Sequence, residues 1–446
     1  MNGRRRLYER LRERIENRTV LTAVIGLGYV GLPLSMTFAG RGLRVIGFDV
    51  DPGKVTALSE NRSYIAHVPH EELAELRGSG RVDFTTDFRR LKDADAVLMC
   101  VPTPLKPDRT PDLSFVENTT AAVAEHLRPG QLVVLESTTY PGTTREVVLP
   151  ILRKSGLNPE ADFFLAYSPE REDPGNRTFR TADIPRVVGA IGPRSLELAA
   201  ALYSHIVPSV VKVSSPETAE AAKLLENIYR AVNIALVNEM KIILDKMNVD
   251  VHEVISAAST KPFGFQPFHP GPGWGGHCIP IDPFYLSWKA RILGVEARFI
   301  EDAGWVNVQM PHFVISKAER ALAETGKTLF GSAVLLIGLA YKKNVDDDRE
   351  SPAYEIMELL HERGAKVSFH DPYIPAMRRT RRHPSLAAPS IALTADVLRS
   401  ADCVVIVTDH DMLDKQLIAS NARLIVDTRN FLADVKLGPH TRLVKA

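Results

Sequence analysis

The chain has 446 residues, 45% of them apolar and 24% charged, ordinary values for a globular protein of about three domains. Its 55 Lys and Arg against 54 Asp and Glu leave a formal charge of +1, without the basic excess that a nucleic-acid or membrane-surface binder needs. No apolar run approaches the roughly 20 residues that span a bilayer, so a membrane protein is not expected.

The N-terminal stretch MNGRRRLYERLRERIENRT lacks the apolar core and small-residue cleavage site of a secretory leader. Leu7, Leu11 and Ile15 fall four apart, which predicts a short amphipathic helix over 4–17 docked on the adjoining domain; a solvated arginine face fits equally well. Next, TAVIGLGYVGLPLSMTFAGRGLRVIGFDVDP reads as strand, glycine turn, helix and strand. Gly26 permits the tight turn, Gly28 lets backbone approach a pyrophosphate, and Gly31 lets the helix lie close to the strand. Asp49 ends the second strand about 20 residues on, where a carboxylate can hold ribose hydroxyls. A carboxylate there repels a 2′-phosphate, so NAD is expected over NADP, with Lys54 adding a contact at the adenosine end. The competing reading is a glycine turn in an α/β fold that holds no cofactor.

Two strand-like runs come after this unit. Thr138 succeeds LVVLES and Glu170 succeeds FFLAYS, both at strand ends where α/β sites form, although a cap or turn residue is an even alternative for each. From Pro216 to about Asn248 an apolar period near 3.6, without internal Pro or Gly, predicts one long helix. Long bridging helices commonly pack on a symmetry mate, so a homodimer is expected. Lys223 and Asn227 share a face one turn apart and together suit an oxyanion, with a solvated pair as the alternative. The loop KPFGFQPFHPGPGWGGHCIPIDPFYL then places Cys278 after four glycines and before Pro280 and Asp282. Glycine-rich backbone leaves a substrate room to approach a thiol, and exposed amides stabilise a thiolate; a buried Cys in a tight turn is the alternative. Adjacent residues usually point apart, so His277 is a poor candidate base for Cys278. Cys100 and Cys403 sit at or within apolar strands and read as small buried hydrophobes. Three scattered cysteines predict a reducing compartment, hence a cytoplasmic protein.

Far downstream, SAVLLIGLAYKKNVDDDRESPAYEIMELLHERGAKVSFHDP repeats the order strand, turn, helix, strand, but Gly338-Leu339-Ala340 lacks the three glycines, so that half is expected to bind something else. Each unit is succeeded by another strand, DADAVLMCVPTP in the first and SADCVVIVTDHD in the second. Continuous apolar runs mean parallel strands buried on both faces. The expected architecture is therefore α/β: two doubly wound, Rossmann-like parallel-sheet domains joined by a long central helix. The expected boundaries are 1–213 for the dinucleotide-binding domain, 214–325 for the helical dimerisation region with the Cys loop, and 326–446 for the second α/β domain. The 13 His residues show no HExxH or paired-Cys spacing, so no metal is assigned.

Across nearly its whole length, from GLGYVGLPL through ESTTYPG, the KLLEN helix, GGHCIPIDPFYL and AYKKNVDDDRESP to DTRN, the chain resembles the nucleotide-sugar 6-dehydrogenases, the UDP-sugar dehydrogenases. The HCIPID form of its cysteine loop resembles the branch acting on UDP-N-acetylhexosamines, especially UDP-N-acetylglucosamine. UDP-N-acetylmannosamine, UDP-N-acetylgalactosamine and UDP-glucose remain alternatives. The resemblance implies an NAD-binding N-terminal domain, a dimerising central helix, a C-terminal UDP-binding domain, and oxidation of a sugar C6 alcohol to a carboxylate with two NAD. It implies a Cys278 thiohemiacetal and thioester, an oxyanion held by Lys223 and Asn227, proton transfer or water positioning by Asp282, and Glu170 and Thr138 beside the reacting carbon. Further implied contacts are Tyr29, Val30, Thr103, Ser137 and Arg349 for the cofactor, and Gly275, Lys342 and Arg429, with Glu170 and Lys223, for the UDP-sugar. Two positions depart from the glucose branch. Pro174 stands where that branch has a second glutamate, with Glu172 and Asp173 nearby, and Lys261 and Phe263 stand where it supplies an arginine to the sugar. A two-electron hydroxyacid dehydrogenase or an NAD-binding protein without turnover is the remote alternative; Cys278 and the second α/β unit count against both.

Overall fold

A computed structural model describes residues 3–65, 68–171, 183–276, 278–377 and 383–446. It divides into two compact units, 1–226 with 288–293, and 227–287 with 294–446. His277, Glu172, Asp173 and Pro174 lie outside the described residues.

In the first unit an eight-stranded sheet runs β1 (Leu21–Ile25), β2 (Arg44–Phe48), β3 (Val82–Thr85), β4 (Ala96–Met99), β5 (Leu132–Leu135), β6 (Phe164–Tyr167), β7 (Arg186–Ala190) and β8 (Val210–Lys212). The spatial order is β3-β2-β1-β4-β5-β6-β7-β8, which reverses direction beside β1, the place where a doubly wound sheet opens a crevice. Successive side chains alternate faces: Val24 and Leu98 pack into one core with Leu32 and Phe38, while Ala23, Ile25 and Val97 pack into another with Val133 and Leu165. Both faces are buried, which is why the strands read as unbroken apolar runs. Burying each such large side chain contributes about 1.5–3 kcal/mol, and truncating one, as in Phe38→Ala, costs about 3–5 kcal/mol. One pairing differs from the all-parallel expectation: β6 and β7 are antiparallel, with Tyr167 opposite Gly189. Strand direction leaves no mark in an apolar run buried on both faces, so RVVGA could not reveal it.

The N-terminal helix spans Gly3–Glu16 and lays Tyr8, Leu11 and Ile15 into the core, while Arg14 reaches Asp95 at 2.8 Å. The long helix spans Pro216–Lys246 and runs through the boundary between the units. Proline begins it, where no intrahelical N–H is lost. It stops at Asn248, whose φ of 56° is left-handed, while Val249 N–H closes on Leu244 C=O at 2.9 Å.

The second unit holds a wholly parallel sheet, β9 (Ala333–Ile337), β10 (Lys366–His370), β11 (Cys403–Ile406), β12 (Leu424–Asp427) and β13 (Arg442–Lys445), in the order β10-β9-β11-β12-β13. Its first three neighbours repeat the β2-β1-β4 arrangement of the first unit, so the echo in the sequence is an echo in topology. No described helix is long and apolar enough to cross a membrane.

Candidate active site

The glycine turn after β1 meets each steric requirement of a dinucleotide cradle. Gly26 has φ +93°, and a Cβ there would stand 2.5 Å from the Cys100 carbonyl oxygen. A Cβ on Gly31 would overlap the Gly26 carbonyl, so only glycine lets the helix Gly31–Gly40 lie this close. A Cβ on Gly28 would meet nothing within 4 Å, and that open face is where a pyrophosphate fits. Tyr29 and Val30 complete the turn. Asp49 comes directly after β2 and is 6% exposed; its carboxylate accepts from Leu27 N at 2.9 Å, from Asp51 N at 3.0 Å and from Lys54 Nζ at 3.1 Å. These residues fit NAD: the turn amides for the pyrophosphate, and Asp49 for the ribose.

The corresponding turn of the second unit has a similar frame with more internal hydrogen bonds. Gly338 has φ +88° and abuts Thr408 as Gly26 abuts Cys100. There Asp371 Oδ2 takes the amides of Leu339 at 2.6 Å and Ala340 at 2.9 Å, and His410 Nε2 lies 3.1 Å from the same oxygen. The side chains of Asp371 and His410 have no exposure. Asp49 takes the amide of Leu27 in the same way in the first unit, so the second turn differs by the further amide of Ala340 and by His410.

The strand ends of the first unit supply polar groups. Thr103 and Ser137 are buried, with Ser137 Oγ donating to Val101 C=O at 2.7 Å, and Thr138 is half-buried. Glu170, just beyond β6, accepts from Arg171 N–H at 2.7 Å and from Arg186 Nη1 at 3.0 Å. Lys223, on the long helix, is 8% exposed and makes no hydrogen bond or ion pair among the described residues.

In the second unit Asn227 and Asp282, 2% and 3% exposed, join through Asn227 Nδ2 and Asp282 Oδ2 at 2.5 Å. Asp282 begins the helix Asp282–Ile292, and its N–H closes on Cys278 C=O at 2.8 Å. Cys278 is exposed, Cys403 is buried and Cys100 is half-buried. The loop glycines are required by packing. A Cβ on Gly275 would fall 2.8 Å from Tyr341 Cβ, and one on Gly271 would collide with the Arg429 guanidinium. Gly276 N–H donates to Arg349 C=O at 3.1 Å, and Gly271 N–H to Asn238 Oδ1 at 2.9 Å. Arg429 also donates through Nε to Val407 C=O at 2.9 Å. Lys342 Nζ stands 5.9 Å from the Tyr341 ring centroid, and Arg349 forks onto Asp347. Thus Asn227, Gly275, Cys278, Asp282, Lys342, Arg349 and Arg429 belong to the second unit; Thr138, Glu170 and Lys223 belong to the first with the glycine turn.

Models of the UDP-glucose/GDP-mannose dehydrogenase family match three stretches: its NAD binding domain over residues 20–207, its central domain over 217–309 and its UDP binding domain over 335–434. The chain belongs to this family. It is an NAD-dependent nucleotide-sugar dehydrogenase. The dehydrogenase is 38% identical to the Pseudomonas aeruginosa protein named UDP-N-acetyl-D-glucosamine 6-dehydrogenase, over 79% of this chain and 83% of that one. It is 34% identical to a Ralstonia solanacearum protein named NDP-N-acetyl-D-galactosaminuronic acid dehydrogenase, over 95% and 98% of the two chains. Among solved structures, a UDP-N-acetylmannosamine dehydrogenase from Pyrococcus horikoshii superposes with a TM-score of 0.84 at 32% identity, covering 95% of this chain and 98% of that one.

Sequence reasoning missed the groups that hold these side chains. Arg186 and Glu136 flank Glu170, and Asn238 ties the Cys loop to Asn307 on the helix Arg298–Ala323 at 2.8 Å. For Arg186 and Glu136 the one visible signal was a charged residue at the end of an apolar strand. Glu355, Glu358 and His383 bring ligand atoms within 4.8 Å of one another, a grouping explained by the 2.6 Å contact of His383 Nδ1 with Glu358.

Proposed function

We propose that the dehydrogenase oxidises C6 of UDP-N-acetylglucosamine to the uronate in the cytoplasm, through a thioester on Cys278. The supporting observation is the exposed thiol at the turn into a helix whose Asp282 is held by Asn227. Bound NAD supplies the hydride acceptor for both oxidations. After the alcohol becomes an aldehyde, the Cys278 thiolate adds to its carbon, and Lys223 and Asn227 stabilise the oxyanion of the thiohemiacetal. Loss of the second hydride leaves a thioester. Water then adds to that carbonyl, giving a proton to Glu170 or Asp282, and the C–S bond breaks to return the thiolate. Each alcohol takes up one water and leaves as a carboxylate with about two NADH and three protons. Lys342 and Arg429, cations on the second unit, suit the UDP moiety.

The sugar assignment rests on the HCIPID loop and on the name of the Pseudomonas relative. The Pyrococcus structure favours UDP-N-acetylmannosamine as the second reading. NADH formed per sugar consumed, across the UDP-N-acetylhexosamines and UDP-glucose, tests both. About two NADH with a uronate product is the expected result, and the best substrate names the sugar. One NADH per sugar would remove the covalent role of Cys278.

A homodimer is part of this reading. Leu225, Tyr229, Leu236, Met240, Ile243 and Met247 stand exposed at helical spacing along the long helix, an apolar stripe that a second copy would cover.

A further inference from the structure

Residues from several strand ends of the first unit meet at one buried cation. Arg186 opens β7 and is 3% exposed. Its Nη2 donates to Glu136 beyond β5, its Nη1 to Glu170 beyond β6 at 3.0 Å, and its Nε to Ser168 Oγ at 3.0 Å. Tyr203, on the helix Pro193–Tyr203, lies with its ring centroid 4.7 Å from the guanidinium carbon and donates its hydroxyl to the other oxygen of Glu136. One guanidinium therefore serves two carboxylates. The Glu136 side chain has no exposure whereas that of Glu170 keeps 14%, so only Glu170 is open to water or substrate. An apolar cluster of the same volume would stabilise the sheet end as well; the arrangement needs a further reason.

We propose that Arg186 is a positioning residue for Glu170, and that Glu136 tunes Glu170 by sharing the same guanidinium. The inference rests on the reading that Glu170 accepts a proton at the reacting carbon. Arg186 fixes the orientation of the carboxylate and favours its ionised form. Glu136 offsets part of that charge, so that Glu170 stays basic enough to take a proton from water. Among the described residues, the other charged or titratable groups around Glu170 include Cys100 beyond β4, Tyr203, and Arg171, whose guanidinium pairs with Glu226 at 2.7 Å. Removing the charge of Arg186 leaves two carboxylates without their cation, which raises the proton affinity of Glu170. Removing the charge of Glu136 gives Glu170 the whole guanidinium and lowers it. A role in folding alone has no reason to move the two variants in opposite directions.

The test is the pH profile of kcat, with the best UDP-sugar and saturating NAD, for the native enzyme, Arg186→Met, Glu136→Gln and Glu170→Gln. Arg186→Met moves the acid limb up by about one pH unit or more and Glu136→Gln moves it down, with KM for the sugar little changed. Glu170→Gln removes the limb. A limb lost in Glu170→Gln but unmoved, or moved the same way, in the other two overturns the inference and leaves the role of Glu170 standing. A limb intact in Glu170→Gln overturns both. If Arg186→Met does not fold, the near-isosteric Glu136→Gln decides alone, a downward shift supporting the inference and any other result overturning it.

Discussion

Cys278 and Asp49 show how a single side chain divides one chemical outcome from another. Serine at 278 keeps the size of the nucleophile but holds its proton at neutral pH. Cys278→Ser should therefore lower steady uronate formation by about a thousandfold or more; near-native product by mass spectrometry would remove the thioester. On the proposed reading Asp49 faces the ribose and repels a 2′-phosphate, so Asp49→Asn should raise kcat/KM with NADP relative to NAD, and an unchanged ratio would free Asp49 of that role. Both residues could be singled out in the sequence because their signals are local: three glycines and an acid at fixed spacing, or a thiol among glycines. Arg186, Glu136 and Glu170 were not legible as a group, since residues 136, 170, 186 and 203 come together only when four segments are packed side by side. The same holds for Asn238, which looked like any polar position on a long helix until Gly271 met it.

At the scale of elements, the long helix could be read from its period and its lack of Pro and Gly, while the direction of β7 left no trace in sequence. The exposed stripe on that helix carries its own prediction. Leu236→Glu with Ile243→Glu should convert a dimer to a monomer by light scattering, because two buried like charges would face their symmetry copies; a native mass unchanged by both, or a monomer from the outset, would count against the dimer. The next short helix, Val251–Ala258, carries a pH-sensitive group. Burial, helped by the Lys241 ammonium, pushes the His252 imidazole down to about 4, and its Nε2 is buried without a partner. The unfolded chain therefore binds a proton that the folded unit refuses, and stability falls as pH drops from about 6.5 towards 4. His252→Gln should flatten that part of the urea-midpoint profile, and an identical slope would assign the effect to other groups.

At the scale of the molecule, the two α/β units share one plan: strand, left-handed glycine, helix, strand, acid. The sequence already displayed both copies, and it distinguished them by the missing glycines of the second turn. It could not display the positive reason for the difference, which is that Asp371 folds back onto the amides of Leu339 and Ala340 with His410 behind it. The second copy thus spends one more turn amide on its own acid than the first does. Although the chain contains two dinucleotide-type clefts, calorimetric titration with NAD should saturate at about one equivalent per chain, and a second equivalent would mean that Asp371 yields. If one equivalent is found, the two units draw on separate ligands, and raising NAD would leave the affinity for the nucleotide sugar unchanged.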